Sequence, residues 1–197
     1  MKEKEKMEQG LLYDANYEDE LLKDRISCKE QCFQYNQLRP SQIEEQEQLI
    51  RSLFKKTGNS FCITAPFWCD YGYHIEIGEN FCSNHNCVIL DGAKVTFGDN
   101  VFIGPNCVFS TAGHPLDVEQ RNQGLEYAYP ISVGNNVWIG MGVLVLPGVK
   151  IGNNSIIGAG SVVTKDIPPY SLAVGNPCRV IRKITEKDRM PDGIEKN

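Results

Sequence analysis

The chain has 197 residues, of which 41% are hydrophobic and 23% are charged, a balance typical of one globular domain that buries a core. Its net charge of −5 argues against nucleic acid as a partner, because no excess of cations exists to displace counterions. The longest apolar run, residues 137–149, is too short to span a bilayer, and the charged N-terminus does not resemble a secretion signal. We therefore expect a cytoplasmic protein that partners neither nucleic acid nor a membrane.

The first sixty residues are expected to form a helical segment. One helix is predicted over about Tyr17 to Tyr35, and a second is predicted to start at a capping box of Ser41 and Glu44. The apolar residues of the second helix share one face, and this helix is expected to end at Gly58. We expect the segment to cap one end of the domain that follows it.

The cysteines and histidines predict neither disulfides nor a metal site. Without a secretion signal or a Cys-x-x-Cys pair, all eight cysteines are expected to be reduced thiols. Cys28 and Cys32 stand four apart in the first predicted helix, where cysteine serves as a small apolar residue. The three histidines, His74, His85 and His114, are too widely spaced to suggest a ligand set.

Apolar residues recur every six positions in the second half of the chain. The uninterrupted series is Val133, Ile139, Val145, Ile151, Ile157 and Val163. A period of six fits neither an α-helix nor an alternating hairpin. It predicts a three-sided coil in which each unit supplies one short strand and one corner, so that eighteen residues stack on the previous eighteen. The first residue of each unit is expected to point inward, and Gly-Asn-Asn at 134–136 and 152–154 is expected to form corners.

Two interruptions break the repeat upstream. Between Ile89 and Phe97 the spacing is eight, which predicts a small bulge at residues 90–92. From Phe109 to Val133 the spacing is 24 residues, and the repeat is absent from this stretch. A loop of that length that leaves a regular solenoid usually has a function.

Repeats of the form Ile/Val-Gly-x-x-x-x resemble the left-handed parallel β-helix of the hexapeptide acyltransferases. This resemblance implies a mainly β fold, with a helical N-terminal segment at 1–60, a hexapeptide-repeat solenoid at 61–184, an extruded catalytic loop at 110–132 and a C-terminal tail at 185–197. From about Leu12 to Ile184 the chain is similar to the maltose and galactoside O-acetyltransferases, whose helical N-terminal segment contributes to the acceptor site. That family implies acetyl transfer from acetyl-CoA to a sugar hydroxyl.

The same resemblance implies the catalytic and acceptor residues. His114, in Thr111-Ala112-Gly113-His114-Pro115, matches the family's catalytic Thr-x-x-His-Pro and has the pKa range of a general base near neutrality. Glu126 is expected either to hold the imidazole tautomer or to bind the acceptor, and a solvated surface carboxylate is the alternative. The remaining expected contacts to the acceptor are Asn84, which also contacts the transition state, Asp70, Asp91, and either Asp14 or Asn16.

The coenzyme groove is implied along the C-terminal coils. The backbone N–H of Met141 matches the donor to the thioester oxygen, and Trp138 matches the tryptophan that lines the pantetheine groove. The rest of the expected path comprises Ala159, Thr164, Lys165, Arg179 and Arg182. Residues 150–183 hold five Lys or Arg and one acidic residue, which suits coenzyme phosphates; a solvated basic tail is the alternative.

The expected mechanism is direct transfer without an acyl-enzyme and without a metal, in a homotrimer with sites between subunits. His85 is expected to be a wall residue and His74 a structural one. This expectation disfavours the γ-class carbonic anhydrases, which use the same solenoid with three histidine ligands.

Two alternatives stay open. A streptogramin acetyltransferase of the same fold would lack the N-terminal helices, and a non-catalytic binding protein would be expected to lose the His114 loop or the arginine tail.

Overall fold

Three parallel β-sheets wind around one narrow core in the computed structural model, which describes residues 1–190. The helices are α1 (Glu3–Glu8), α2 (Asp19–Gln37), α3 (Ile43–Leu53) and α4 (Val118–Asn122), with a 3₁₀ turn at Glu186–Asp188. The strands of the N-terminal half are β1 (Tyr13–Asp14), β2 (Phe61–Ile63), β3 (Phe67–Cys69), β4 (Ile75–Ile77), β5 (Phe81–Ser83), β6 (Cys87–Leu90), β7 (Val95–Phe97), β8 (Phe102–Ile103) and β9 (Val108–Ser110). The later strands are β10 (Ala112–Gly113), β11 (Leu125–Ala128), β12 (Ile131–Val133), β13 (Trp138–Ile139), β14 (Leu144–Val145), β15 (Lys150–Ile151), β16 (Ile156–Ile157), β17 (Val162–Val163), β18 (Ser171–Val174) and β19 (Arg179–Lys183).

The chain visits the three faces of the solenoid in turn. The seven-stranded face contains β2, β5, β8, β13, β16, β18 and the antiparallel β19; the five-stranded face contains β3, β6, β9, β14 and β17; the four-stranded face contains β4, β7, β12 and β15. Val133 pairs with Ile151 and Ile139 with Ile157, eighteen residues on in each case. Every member of the six-residue series is buried. The predicted three-sided coil is confirmed, and it is of the left-handed β-helix type.

Asparagine forms the corners in the left-handed backbone region. Asn80, Asn100, Asn136 and Asn154 have φ values between 54° and 58°, and the side-chain amides of the first three each donate to the next asparagine at 2.9 to 3.1 Å. The glycine that begins each corner is required by close packing between coils rather than by a positive φ. A Cβ on Gly134 would lie 2.1 Å from Oδ1 of Asn153, so glycine permits the close stacking of coils while asparagine supplies the turn.

The N-terminal helices pack on the first coils, although their boundaries differ from the prediction. Helix α3 starts at Ile43 with Gln42 as its N-cap and no side-chain cap, so the expected capping box of Ser41 and Glu44 is absent, and the helix ends at Leu53 rather than at Gly58. The Gln42 side chain instead accepts a hydrogen bond from the backbone N–H of Arg39, which ties it to the preceding turn.

The extruded segment has secondary structure of its own. Strand β10 pairs antiparallel with β11, and β11 pairs antiparallel with β1 from the N-terminal segment. Helix α4 lies between β10 and β11 and is capped by the Asp117 side chain. The expected long loop is therefore a small three-stranded sheet at one corner of the solenoid, built jointly with the N-terminal segment.

Among residues 1–190, no helix is both long enough and apolar enough to cross a membrane. The part of the predicted tail at 191–197 lies outside the described residues.

Candidate active site

His114 follows β10 at the corner where the five-stranded face ends, called here the His114 corner. Its Nδ1 atom donates a hydrogen bond to the carbonyl oxygen of Leu125 at 2.9 Å. Because this bond places the ring proton on Nδ1, the lone pair of Nε2 is left available. The side chain is 49% exposed. The ring is thus held in the tautomer that a general base requires, with its basic nitrogen open to an incoming hydroxyl group.

Glu126 lies on β11 close to that nitrogen. Its Oε1 is 3.9 Å from Nε2 of His114, too far for a hydrogen bond but close enough for the carboxylate charge to stabilise a protonated ring. Its Oε2 accepts a hydrogen bond from the hydroxyl of buried Tyr13 at 3.3 Å. Burial and the Glu126 charge raise the pKa of Tyr13 above its ordinary range, so this hydroxyl remains a donor.

Asp14 and Asn16 both lie beside the extruded segment, but their side chains make different hydrogen bonds. Asp14 Oδ1 accepts from the backbone N–H groups of Asn16 and Tyr17 at 3.0 and 2.9 Å. The Asn16 amide donates to the carbonyl oxygen of Gly124 at 2.9 Å. Among the described residues no hydrogen bond reaches Asp14 Oδ2. Asn16 therefore fixes the loop, and Asp14 is the better candidate for an acceptor contact.

Asp70 directly follows β3 at the same corner and is partly exposed. Burial raises the pKa of its carboxyl group, and the positive charges of Arg25 and Lys29 on α2 oppose that effect. The Glu126 carboxylate also acts on Asp70, which places both groups in one electrostatic environment. Arg25 further donates to the carbonyl oxygen of Ala15, so α2 contributes a cation that the sequence reasoning missed.

Asp91 occupies the predicted bulge but has no exposed surface. Its Oδ1 accepts from the backbone N–H groups of Asp70 and Tyr71 at 3.0 and 2.9 Å. Because Asp91 has no exposed surface, the expected direct contact between its carboxylate and an acceptor does not fit this structure. Because the two extra residues of the bulge turn this carboxylate inward, Asp91 holds the backbone of Asp70 instead.

Asn84 lies at a different corner, where the chain passes from the seven-stranded to the five-stranded face, called here the Asn84 corner. Its Oδ1 accepts from the N–H of His85 at 2.8 Å, and its side chain is exposed. A cavity of about 270 Å³ joins Asn84 to Trp138 and Gly104. Trp138 presents a ring that is 55% exposed, so this corner offers an apolar wall beside an amide group.

Met141 and Ala159 stack above Asn84 along this corner. The N–H groups of Gly140 and Gly142 donate to carbonyl oxygens of Ile157 and Pro105. The N–H of Met141, between them, donates to no described residue, and its side chain is 60% exposed. A free backbone donor beside an exposed groove is what a thioester oxygen requires.

The later residues of the expected coenzyme path are exposed and lie on two different parts of the solenoid. Thr164 and Lys165 follow β17 at the His114 corner, whereas Arg179 and Arg182 lie on the edge strand β19. Arg182 already forms a bidentate pair with Asp188, at 2.9 and 2.6 Å. This pair lowers the pKa of Asp188 to about 2. A phosphate that binds Arg182 would therefore compete with the Asp188 carboxylate for N–H donors of the guanidinium.

The expected site residues thus fall into two groups within one chain. The His114 corner holds the base, Glu126 and Asp70, and the Asn84 corner holds the amide, Trp138 and the free N–H. Strands of the five-stranded face begin at one corner and end at the other. A three-residue strand spans roughly 10 Å, which exceeds hydrogen-bond reach between the two groups.

The other two histidines are each bonded through Nδ1 to a backbone carbonyl oxygen. His74 forms a hydrogen bond through Nδ1 to the carbonyl oxygen of Asp91 at 2.7 Å, and burial lowers its pKa. His85 is bonded through Nδ1 to the carbonyl oxygen of Ala65. Both positions agree with the structural and wall roles predicted for them.

Comparison with known proteins identifies the family. The maltose acetyltransferase hexapeptide capping motif matches residues 6–58, and the bacterial transferase hexapeptide (six repeats) matches residues 130–165. The galactoside O-acetyltransferase of Escherichia coli is 48% identical over 84% of this chain and 81% of its own. The chain belongs to the maltose and galactoside O-acetyltransferase family. The predicted family resemblance is confirmed over most of the chain.

Solved structures of this family have the same architecture. A maltose O-acetyltransferase from Clostridium difficile superposes with a TM-score of 0.92 at 49% identity, covering 94% of this chain and 99% of that one. A galactoside acetyltransferase in complex with coenzyme A superposes with a TM-score of 0.93 at 43% identity, covering 99% and 97%. The protein is therefore an acetyltransferase of the galactoside and maltose type.

Proposed function

We propose that this family member transfers the acetyl group of acetyl-CoA directly to a hydroxyl group of a sugar, with His114 as the general base. The observation that carries the proposal is the Nδ1 bond from His114 to the Leu125 carbonyl oxygen, because in the neutral ring it places the proton on Nδ1 and leaves the Nε2 lone pair free. In the transfer, Nε2 accepts the proton of the attacking hydroxyl group. The nearby Glu126 carboxylate stabilises the positive charge that the ring then carries.

The Asn84 corner fits an acyl-coenzyme A donor. Its exposed Trp138 ring suits the pantetheine arm, and the free N–H of Met141 suits the carbonyl oxygen of a thioester, where negative charge develops during attack. Acetyl-CoA supplies the activated acetyl group, and its thiolate leaves. Arg179 is exposed and donates only to the carbonyl oxygen of Cys178 among the described residues, so it is available to phosphate groups. The coenzyme A complex of a relative supports this choice of donor.

The acceptor side is polar and acidic, which suits a sugar. Asp14, Asp70 and Glu126 bring carboxylates to the His114 corner, and carboxylates accept hydrogen bonds from hydroxyl groups. Strand β1 from the N-terminal segment forms one wall of this corner. That contribution favours a sugar over a streptogramin, because the antibiotic acetyltransferases of this fold lack the segment.

The two corners imply that the complete site forms between subunits. Within one chain, the base and the thioester donor lie on opposite edges of the five-stranded face. A homotrimer that places the His114 corner of one protomer against the Asn84 corner of the next brings them together. Solenoids suit such packing because their flat faces remain available once the interior is filled.

The proposal is tested by release of coenzyme A from acetyl-CoA with maltose, glucose, a β-galactoside and a streptogramin as acceptors. We expect turnover on at least one sugar, and a loss of about 10²- to 10⁴-fold in kcat for His114→Ala. His85→Gln is the matched control, because it removes an imidazole that takes no part in the proposed proton transfer while the backbone N–H of residue 85 still bonds to Asn84; its loss of activity should be far smaller. Turnover on the streptogramin alone would overturn the sugar assignment, and equal activity of His114→Ala would overturn the base.

A further inference from the structure

Three cysteines converge where α2 packs on the end of β3, and no step of the proposed acetyl transfer uses them. Cys28 and Cys32 lie one turn apart on α2, and Cys69 ends β3. The Sγ atom of Cys69 is 3.5 Å from that of Cys28 and 3.8 Å from that of Cys32. All three sulfur atoms lie within 4.8 Å of one another, and the residues are 2%, 0% and 3% exposed.

This triangle has the dimensions of a metal–thiolate site. With metal–sulfur bonds of about 2.3 Å, the sulfur atoms of a trigonal site are about 4.0 Å apart and those of a tetrahedral site about 3.8 Å apart. The two separations from Cys69 are within half an ångström of these values, and the third, between Cys28 and Cys32, is within 4.8 Å. Closing the site around an ion therefore requires only small side-chain movements. The other five cysteines, at positions 62, 82, 87, 107 and 178, form no group of this kind among the described residues.

The number of ligands selects the kind of ion. Within residues 1–190, no carboxylate, imidazole or fourth thiol joins this group, and all three cysteines are almost fully buried. Zinc in closed protein sites is almost always four-coordinate. Thiolate ligands without a fourth donor instead suit a soft monovalent ion such as Cu⁺.

We propose that Cys28, Cys32 and Cys69 form a buried three-coordinate site for a soft, thiophilic metal ion, of which Cu⁺ is the natural example. Binding forms three sulfur–metal bonds and releases the thiol protons to solvent, without any redox change. The ion joins the N-terminal helical segment to the strand that carries Asp70. The proposal does not depend on which acceptor the enzyme uses.

The test uses the reduced, full-length protein with Cys62→Ser and Cys82→Ser, because these two cysteines lie nearer the surface and interact with each other. Cu⁺ is titrated under anaerobic conditions against a competing Cu⁺ chelator. We expect one Cu⁺ per chain, three sulfur neighbours by X-ray absorption, and a melting temperature raised by several degrees. Cys69→Ser is expected to weaken Cu⁺ binding at least tenfold, whereas the buried control Cys178→Ser retains it.

Several outcomes would overturn the site. These are no bound Cu⁺, a two-sulfur environment, affinity unchanged by Cys69→Ser, or tighter binding of Zn²⁺ with four ligands. The count of sulfur neighbours is made on protein with the cluster intact, so it decides the matter even where a serine variant fails to fold. Circular dichroism of each variant separates loss of the ligand from loss of the fold.

Discussion

The Nε2 atom of His114 lies 3.9 Å from Oε1 of Glu126, while the other oxygen of Glu126 is bonded to the Tyr13 hydroxyl. The carboxylate is therefore anchored by the N-terminal segment and lies beside the nitrogen that we propose as the general base. This arrangement assigns Glu126 an electrostatic role, because the His114 tautomer is already fixed by the Leu125 carbonyl oxygen.

Glu126→Gln should lower kcat about tenfold or more and leave KM for acetyl-CoA unchanged. The amide still accepts from Tyr13 but carries no charge to stabilise the protonated ring that forms during transfer. Steady-state kinetics on the preferred sugar measure this effect. Tyr13→Phe serves as the comparison, because it keeps the Glu126 charge and removes only the hydroxyl that bonds to this carboxylate. We expect kcat to fall less in Tyr13→Phe than in Glu126→Gln. A change in KM for acetyl-CoA with constant kcat would contradict the assigned role.

Asp188→Asn should lower KM for acetyl-CoA by about two- to fivefold. Asp188 holds the Arg182 guanidinium by two hydrogen bonds, and if Arg182 binds coenzyme phosphates as proposed, they would compete with Asp188 for the same N–H donors. Arg182→Ala should have the opposite effect, and both differences should shrink at high salt. Glu186→Gln, in the same 3₁₀ turn but without a bond to Arg182, is the control. Equal KM values in all three variants would exclude Arg182 from phosphate binding.

The solenoid could be predicted from sequence because its interior repeats. Each inward residue, such as Ile139 or Ile157, meets the same surroundings as its neighbour eighteen positions away, so one local pattern reports a long-range contact. The same logic predicted the bulge at residues 90–92, whose two extra residues shift the pairing so that Ile77 lies opposite Phe97.

The contacts made by the N-terminal segment could not be predicted in this way. Tyr13 reaches Glu126 through a two-residue strand, and Cys69 meets two residues of a distant helix. Neither contact repeats, so no periodicity reveals it. The inward direction of the Asp91 side chain could not be predicted either, because the family motif gives the residue but not where its side chain points.

Ile151→Ala should reduce the free energy of unfolding by about 2–5 kcal/mol. Ile151 is 2% exposed and fills the prism between coils, so truncation leaves a cavity that neighbouring strands cannot close. Lys150→Ala is the matched control, because Lys150 precedes it on β15 and points outward; its effect should stay within about 0.5 kcal/mol. Urea unfolding at one fixed protein concentration measures both changes, and similar losses would contradict the inward assignment of the repeat.

Asp91→Asn should change the pH dependence of stability. Burial raises the pKa of Asp91 to about 7, whereas an unfolded aspartate titrates near 4. Between these values the native chain binds more protons than the unfolded chain, so the wild-type free energy of unfolding falls as pH rises from about 4 to 7 and then levels off. Asparagine keeps an acceptor for the N–H groups of Asp70 and Tyr71 but carries no charge.

The stability of wild type relative to Asp91→Asn should therefore decline between pH 5 and pH 8, by on the order of 1.4 kcal/mol for each pK unit crossed. Urea unfolding of both proteins, freed of metal by a chelator, measures the difference. His74 faces Asp91 and contributes with the opposite sign, because its lowered pKa costs stability as pH falls below about 6.5. Since both proteins retain His74 and the carboxyl group of Asp70, their contributions largely cancel in the difference. A pH-independent difference would show that Asp91 is already ionised at pH 5, with its buried charge stabilised by the two backbone N–H groups.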